Sequence, residues 1–331
     1  MKILFVFTGG TIGSTLTRDN VIATDSRKAY KILKAYSKQY PIDFEYDIAE
    51  PYTELSENNT GENIRMLAEC VKSKLDLGYD GIVVTHGTDT LQYSAAALGY
   101  MLGADSVPVC FVSANSPIEH ESSNALDNLH GAISFIKAGA GRGAFVIYRN
   151  GNNATVRAHR ATRLTGTKAF SDDISSIFSA IYGHFDDNFA FIKNDKYCER
   201  NDAIEPLKLD NLSENSDGIA MIYPYPGMVY PALTDDIKYI IFNTYHSGTL
   251  NTKAQSTIKF LEEAKRKGIT VYVTGVAEGP EYESASAFSA LGLVPLKNIA
   301  PIAAYVKLWI LSQNDSVEKM TESLSGDILP I

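Results

Sequence analysis

Short apolar runs alternate with amphipathic stretches through most of the chain. Seven runs of five to seven residues are largely apolar and rich in β-branched residues, without the alternation of a half-exposed strand. Such continuity is typical of strands in a parallel sheet that is covered on both faces. The predicted strands are Ile3–Phe7, Gly81–Thr85, Val107–Ser113, Ala144–Arg149, Gly218–Ile222, Ile237–Phe242 and Thr270–Thr274.

Amphipathic stretches between these runs predict helices. Arg27–Tyr40 and Gly61–Leu75 each place apolar residues on one face, and Asn59 and Thr60 stand where the N-cap of the second helix belongs. Strand–helix alternation predicts an α/β fold with a doubly wound, mostly parallel sheet. Asn150–Asn152, an Asn-Gly-Asn triplet between two β-like runs, predicts a hairpin and thus an antiparallel excursion at the sheet edge.

The pattern changes between residues 193 and 217, where the chain is polar, acidic and non-periodic. Such a stretch is typical of a linker between domains. We therefore predict a larger N-terminal α/β domain over residues 1–192, a linker over 193–217 and a smaller C-terminal α/β domain over 218–331.

Composition and charge exclude several classes of protein. Apolar residues make up 45% of the chain and charged residues 21%, which excludes extended disorder. The net charge is −9 and no basic stretch occurs, so we expect no nucleic-acid or membrane partner. Three widely spaced cysteines favour neither a disulfide scaffold nor a zinc site. No signal peptide and no apolar run near the ~18 residues of a membrane span are visible, so we expect a cytoplasmic protein.

A first motif, Thr8–Gly13 (TGGTIG), directly follows the first predicted strand. Ligands of such folds bind at the carboxyl ends of strands, and paired glycines let the backbone approach a ligand closely. The motif would present the Thr11 hydroxyl at a loop tip. It could also be a plain turn or a dinucleotide loop, although it lacks the full G-x-G-x-x-G spacing.

A second motif, His86–Thr90 (HGTDT), lies between the strand Gly81–Thr85 and a predicted helix. Thr88 and Asp89 stand where cap residues belong, and a hydroxyl beside a carboxylate could also exchange protons or hold an ammonium group. His86 could serve as a general base or have only a structural role.

Together, the two motifs resemble those of the asparaginase/glutaminase family of bacterial-type threonine amidohydrolases, in its cytosolic type I-like form. Their spacing of about 77 residues is also similar. Ser56 and Glu57 match the substrate-binding pair of the family in position. Tyr245–Thr249 resembles the loop near its subunit contact, and Ala161–Arg163 resembles the segment with its catalytic lysine.

The resemblance implies a threonine-based deamidation without a metal or an organic cofactor. Thr11 would be the nucleophile that forms an acyl-enzyme and releases ammonia, and Thr88 with Asp89 would activate the attack. Ser56 and Glu57, together with Thr88 and Asp89, would bind the amino-acid substrate. The resemblance also implies a homodimer or homotetramer, with active sites close to a dimer contact.

Arg163 departs from the family pattern, because a lysine is expected there. Arginine cannot accept a proton, so Arg163 would act as a fixed positive charge, or the register is shifted and Lys168 takes the role. Ser122–Ala125 stands where relatives often have Asp-Gly, and Thr15–Ser26 lacks the tyrosine that many members carry.

These observations favour the hydrolysis of the side-chain amide of L-asparagine to L-aspartate and ammonia. One alternative is an amino-acid-binding sensor with impaired catalysis, suggested by Arg163. Another is an amidase component that acts on another amide, such as the subunit of a tRNA-dependent amidotransferase. That alternative is less expected, because Thr8 leaves no room for an additional N-terminal domain and the chain is acidic.

Overall fold

The structure is a computed structural model that describes residues 1–10, 14–16, 22–24, 29–103, 106–151, 154–198 and 206–330. The strands are β1 (Lys2–Phe7), β2 (Ser14–Leu16), β3 (Ile22–Thr24), β4 (Glu45–Ala49), β5 (Gly81–Thr85), β6 (Pro108–Val112), β7 (Gly143–Arg149), β8 (Val156–Arg160), β9 (Gly183–Phe185), β10 (Phe191–Lys193), β11 (Ile219–Ile222), β12 (Tyr239–Asn243), β13 (Thr270–Val276) and β14 (Leu293–Lys297). The α-helices are α1 (Ala29–Gln39), α2 (Gly61–Lys72), α3 (Leu91–Leu102), α4 (Ala125–Lys137), α5 (Gln255–Arg266), α6 (Glu283–Ser286) and α7 (Pro301–Gln313).

The larger sheet has the strand order β10-β9-β8-β7-β6-β5-β1-β4. Strands β4, β1, β5, β6 and β7 run parallel, whereas β8, β9 and β10 extend the sheet in antiparallel pairs. The hairpin between β7 and β8 confirms the antiparallel excursion, although Asn152 lies outside the described residues. A second sheet, β11-β12-β13-β14, is wholly parallel. The predicted α/β class, with a mostly parallel sheet and a smaller second sheet, is therefore confirmed.

All seven predicted strands are present, with ends within two residues of the prediction. Four of the strands that the sequence did not reveal lack a buried apolar run. β4 is an edge strand whose residues are exposed or half-buried, β9 and β10 have three residues each, and β14 contains Pro295. Helix α2 begins at Gly61 after a capping box of Thr60 and Asn63, as the N-cap prediction implies.

Helices α3 and α7 join the two sheets into one apolar core. α3 covers one face of the larger sheet and packs against α7, which in turn lies on β12 and β13. Lys307 of α7 forms a fully buried ion pair with Asp327 at 2.9 Å, and the Tyr100 hydroxyl donates to the same carboxylate at 3.0 Å. The domain boundaries at residues 192 and 218 remain a prediction. No helix in the described ranges is long and apolar enough to cross a membrane.

Candidate active site

Two loops emerge side by side from the carboxyl edge of the larger sheet. β1 and β5 are neighbours, and their last residues, Phe7 and Thr85, are paired in register. The Thr8 hydroxyl donates to the Thr85 carbonyl at 2.7 Å. A third segment joins them, because the Gly10 amide donates to the Glu54 carbonyl at 3.1 Å. The sheet thus brings Thr8–Gly10 of the first motif, the second motif and residues 54–58 together.

Glycines allow these three loops to make backbone contact. Gly10 has a φ of +76°, and a Cβ atom there would lie 2.3 Å from the amide nitrogen of Gly87. A Cβ atom on Gly87 would lie 2.4 Å from the Ser56 Oγ. Any larger residue would push the loops apart, so glycine is required at both positions.

Asp89 lies at the surface just before α3. The helix begins at Leu91, and Thr90 is its N-cap residue. In the described part of the chain, the Thr90 side chain makes no capping hydrogen bond to the first turn of the helix. The Thr90 hydroxyl donates instead to the Ser56 carbonyl at 2.7 Å, which ties α3 to the third loop. Thr88 is half-buried and Asp89 is exposed, so both side chains lie at a face that a substrate can reach.

His86 is fully buried and holds the second loop in place. A carbonyl oxygen can only accept a hydrogen bond, so the imidazole Nδ1 is protonated and donates to the Gly87 carbonyl at 2.8 Å. The Nε2 then accepts from the Ser94 hydroxyl at 2.9 Å and from the Asn59 amide at 3.1 Å. Burial lowers the pKa of His86 to about 4. The imidazole is therefore neutral and fully engaged, which favours its structural role over general-base catalysis.

The predicted substrate-binding pair lies on the third loop. Ser56 and Glu57 belong to a single 3-10 turn, where Ser56 is buried against Gly87 and Glu57 is exposed. Thr11 lies outside the described residues, as do the side chains of Thr15–Ser26. Its predecessor Gly10 contacts Gly87, which precedes Thr88 by one residue.

Arg163 lies away from these residues, near the opposite edge of the sheet. β8 runs antiparallel to β7 and ends at Arg160, opposite Phe145 near the start of β7, so the following turn Ala161–Arg163 faces the amino edge. Arg163 is fully buried, and its Nε donates to the Gly326 carbonyl at 2.6 Å. The structure therefore does not bring Arg163 to Thr88 and Asp89. The Asn-Gly hairpin in the sequence already indicated this position, because it reverses the direction of the chain before Arg163 and so carries the residue away from the carboxyl edge.

Lys168 lies on the segment that returns from this turn. The Thr165 amide donates to the Ser175 carbonyl at 2.8 Å, and residues 166–170 between them are exposed. Ile174 exchanges hydrogen bonds with Asn150 at the β7–β8 hairpin, which belongs to the carboxyl edge. The segment therefore runs from the turn of Arg163 to the carboxyl edge, which it reaches at Ile174.

Two further segments singled out in the sequence have clear structural positions. Asn124 of the segment Ser122–Ala125 begins α4, and its side chain bonds the Asn115 amide and the Arg149 carbonyl. Tyr245–Thr249 is a tight loop at the carboxyl end of β12, closed by the Tyr245 amide on the Thr249 carbonyl at 3.0 Å. Within the described ranges, no group of three or more His, Cys, Asp or Glu residues is arranged to hold a metal ion.

Known proteins are similar to this chain in sequence or in structure. Among curated sequences, a subunit of the glutamyl-tRNA(Gln) amidotransferase of Methanosarcina mazei is 29% identical, over 99% of this chain and 79% of that protein. The equivalent amidotransferase subunit from Pyrococcus abyssi is 26% identical, over 99% and 77%. The solved L-asparaginase of Thermococcus kodakarensis covers 100% of both chains with a TM-score of 0.79 at 23% identity. A probable cytoplasmic L-asparaginase of Campylobacter jejuni covers 97% and 98%, with a TM-score of 0.73 at 20% identity.

The structural similarity establishes the fold, and a match to the sequence model of a family establishes which family the chain belongs to. The sequence model of the family described as "Asparaginase, N-terminal" matches residues 2–188, which is more than half of the chain. The matched range contains both threonine motifs and the loop with Ser56. This chain therefore belongs to the asparaginase family.

Proposed function

We propose that the protein hydrolyses the side-chain amide of L-asparagine to L-aspartate and ammonia through a threonine acyl-enzyme. The observation that carries this proposal is the junction of Gly10, Gly87 and Ser56, where three loops meet at the carboxyl edge of the sheet. Each glycine directly precedes a threonine of the proposed mechanism, Thr11 or Thr88. Membership of the asparaginase family supports amide hydrolysis as the reaction class.

In the proposed reaction, the Thr11 hydroxyl adds to the amide carbon, and its proton passes to a neighbouring group. An alcohol is a weak nucleophile until such a group takes its proton, and Thr88 with Asp89 is proposed for this step. The C–N bond then breaks and the nitrogen leaves as ammonia after taking up that proton. A water molecule hydrolyses the resulting threonine ester and releases L-aspartate.

The substrate would be held by its α-amino-acid group. Glu57 and Asp89 are exposed carboxylates on adjacent loops, and opposite charge favours an ammonium group between them. Ser56 is buried at the loop junction and is proposed to contact the substrate carboxylate with its hydroxyl. The proposed assembly is a homodimer or homotetramer in the cytoplasm, in line with the cytoplasmic description of one structural neighbour.

Lys168 replaces Arg163 in the proposed proton relay. Arg163 is buried near the amino edge, whereas Lys168 is exposed on a segment that reaches the carboxyl edge at Ile174. A lysine ammonium can give up and regain a proton, which a guanidinium does not do in proteins. The sensor alternative rested on an arginine at the site, and the position of Arg163 removes that support.

The curated relatives favour a second candidate function. Both curated relatives described above are amidotransferase subunits, and they align with almost the whole of this chain. The second candidate is therefore an amidase component that releases ammonia from another amide while working with a partner protein.

One assay separates these functions. Ammonia release is measured with L-asparagine, L-glutamine and both D-isomers, using the purified full chain. We expect turnover that is fastest with L-asparagine. Turnover of L-glutamine alone would favour the amidase component, and binding without ammonia release from any of the four would overturn the proposed hydrolase.

A further inference from the structure

Asn59 directly follows the third loop, and its side chain reaches the second threonine motif. Its Nδ2 atom lies 3.1 Å from the His86 Nε2 and 3.3 Å from the Thr90 Oγ1. His86 and Thr90 are the first and the last residue of this motif. One amide nitrogen therefore contacts both ends of the loop that carries Thr88 and Asp89.

Asn59 is the donor in both contacts. The Thr90 hydroxyl donates its own proton to the Ser56 carbonyl at 2.7 Å, so its oxygen can only accept from Asn59. The His86 Nε2 is also an acceptor, because the proton of the neutral ring is on the Nδ1 that faces the Gly87 carbonyl. The amide nitrogen has two hydrogens, one for each acceptor. The orientation of the amide is therefore fixed, and only a donor can make both contacts.

His86 passes its own position on to the backbone of the loop. Its Nδ1 donates to the Gly87 carbonyl at 2.8 Å. The next peptide bond is planar and trans, so the direction of this carbonyl sets the orientation of the peptide unit that leads to Thr88. Asn59 and Ser94 hold the imidazole at its other nitrogen. Asn59 thus acts on the backbone at Thr88 through His86.

Helix capping does not account for these contacts. Thr60 is the N-cap residue of α2 and forms a capping box with Asn63, so the Asn59 side chain is not needed there. In the described part of the chain, the Thr90 side chain makes no capping hydrogen bond to α3. Both side chains therefore serve the contact between the two loops.

The Asn59 Oδ1 is buried and has no hydrogen-bond partner in the described structure, which is unfavourable for stability. A leucine of the same branched shape would avoid this cost. Without the amide, the His86 Nε2 would still accept from Ser94. The Thr90 hydroxyl would still donate to the Ser56 carbonyl. A leucine would therefore leave these groups paired and would remove only the link between the loops.

We propose that Asn59 is a positioning residue for the reaction at Thr88. It holds the loop His86–Thr90 against the third loop and so fixes Thr88 and Asp89 relative to the substrate-binding pair. This inference rests on the proposed function, in which Thr88 and Asp89 activate the nucleophile. Because the substrate-binding pair itself stays unchanged, loss of Asn59 slows the chemical step more than it weakens substrate binding.

Asn59→Leu and Asn58→Ala are compared in the full-length protein. Asn58 is the matched control, because its Nδ2 donates to the Glu54 carboxylate at 3.1 Å within the third loop. We expect Asn59→Leu to lower kcat for L-asparagine at least about tenfold and to change KM less than about threefold. Its melting temperature should stay within about 3 °C of the wild type. Asn58→Ala should keep both kinetic constants within about twofold.

Several outcomes would overturn the proposal. Wild-type kcat in Asn59→Leu, or a loss confined to KM, would show that Asn59 does not position the activating loop. Asn59→Gln keeps the donor on a longer side chain, so a rate no higher than that of Asn59→Leu would also count against it. If Asn59→Leu does not fold, Asn59→Ala takes its place, and failure of both to fold would show a purely structural role.

Hydrogen exchange followed by mass spectrometry tests the inference without turnover. The amides of residues 86–90 should exchange faster in Asn59→Leu than in the wild type or Asn58→Ala, and those of β1 should not change. Unaltered exchange over residues 86–90 would overturn the inference. A wild-type protein that releases no ammonia would instead contradict the proposed function, and the exchange result alone would then decide whether Asn59 holds this loop.

Discussion

Gly10 and Gly87 lie so close that a Cβ atom on Gly10 would stand 2.3 Å from the Gly87 amide nitrogen. The two residues are far apart in sequence and are joined through neighbouring parallel strands, β1 and β5. Each precedes a candidate catalytic threonine, and their contact joins the backbones of the two motif loops. The neighbouring strands bring Gly10 and Gly87 together, and the contact is possible because neither residue has a side chain.

Gly10→Ala is expected to abolish activity and to lower the free energy of unfolding by more than about 2 kcal/mol. The new methyl group would both strain a backbone with a φ of +76° and collide with Gly87. Gly78→Ala is the matched control, since Gly78 has a φ of +77° but nothing within 4 Å of its Cβ position. The control should cost about 1 kcal/mol and leave ammonia release intact. Equal effects of both changes in urea unfolding would show that the loop contact contributes nothing.

His86 should make the fold less stable in acid. Its pKa is about 4 in the folded protein and about 6.5 in the unfolded chain, so between these values the unfolded chain binds more protons. Stability is therefore lost as the pH falls from 6.5 to 4, by roughly 3 kcal/mol. Unfolding of the wild type and of His86→Gln is compared from pH 7 to pH 4. The advantage of the wild type should shrink across this window, and a constant difference would contradict a neutral, buried imidazole.

Thr11→Ala should abolish ammonia release and leave the unfolding free energy within about 1 kcal/mol of the wild type. Thr11→Ser should keep part of the rate, because the hydroxyl remains but loses the methyl group that restricts its rotamer. Turnover is followed by ammonia release, and aspartate binding by calorimetry checks that the alanine variant keeps its site. Near-normal turnover of Thr11→Ala would move the nucleophile to Thr88.

The sequence was informative where burial is uniform and where a motif follows a strand. The runs that became β1 and β5 are buried along almost their whole length, so their pattern predicted them and placed both motifs at one edge. β4 could not be found in this way, because an edge strand buries too little apolar surface. The contacts that fix the site were also hidden. Asn59, His86 and Ser94 meet only after folding, and no local pattern specifies which hydroxyl an imidazole will find.

Asp327→Asn should destabilise the protein by about 3–5 kcal/mol. It would leave the Lys307 ammonium, which is fully buried, without its counter-charge. Asp210→Asn is the control, because Asp210 pairs with Lys72 at 3.2 Å where both side chains are about half exposed. The control should change stability by less than about 1 kcal/mol. Thermal and urea unfolding measure both, and a silent Asp327→Asn would show that the buried pair does not hold α7 to the chain end.

Substitution of Arg163 should lower the stability of the protein, whereas substitution of Lys168 should lower its turnover number. The resemblance alone predicts that Arg163→Met slows the reaction and that Lys168→Met is nearly silent. The structure reverses this expectation, because Arg163 is buried against the Gly326 carbonyl and the Tyr197 ring, away from Thr88. Arg163→Met should therefore lower the unfolding free energy by about 3 kcal/mol, since a buried charged hydrogen bond is lost, and should leave the turnover number of the folded protein unchanged.

Lys168→Met is the converse test. The side chain is exposed, so its loss should change stability by at most about 0.5 kcal/mol. If the loop brings its ammonium to the threonine pair, kcat should fall at least tenfold, with a smaller change in KM, because the proton relay is lost after the substrate has bound. Lys168→Arg should not restore the rate, since a guanidinium keeps its proton. A stable Arg163→Met that is slow, beside a fully active Lys168→Met, would return the catalytic charge to Arg163 and require that the chain rearrange to bring it across the sheet.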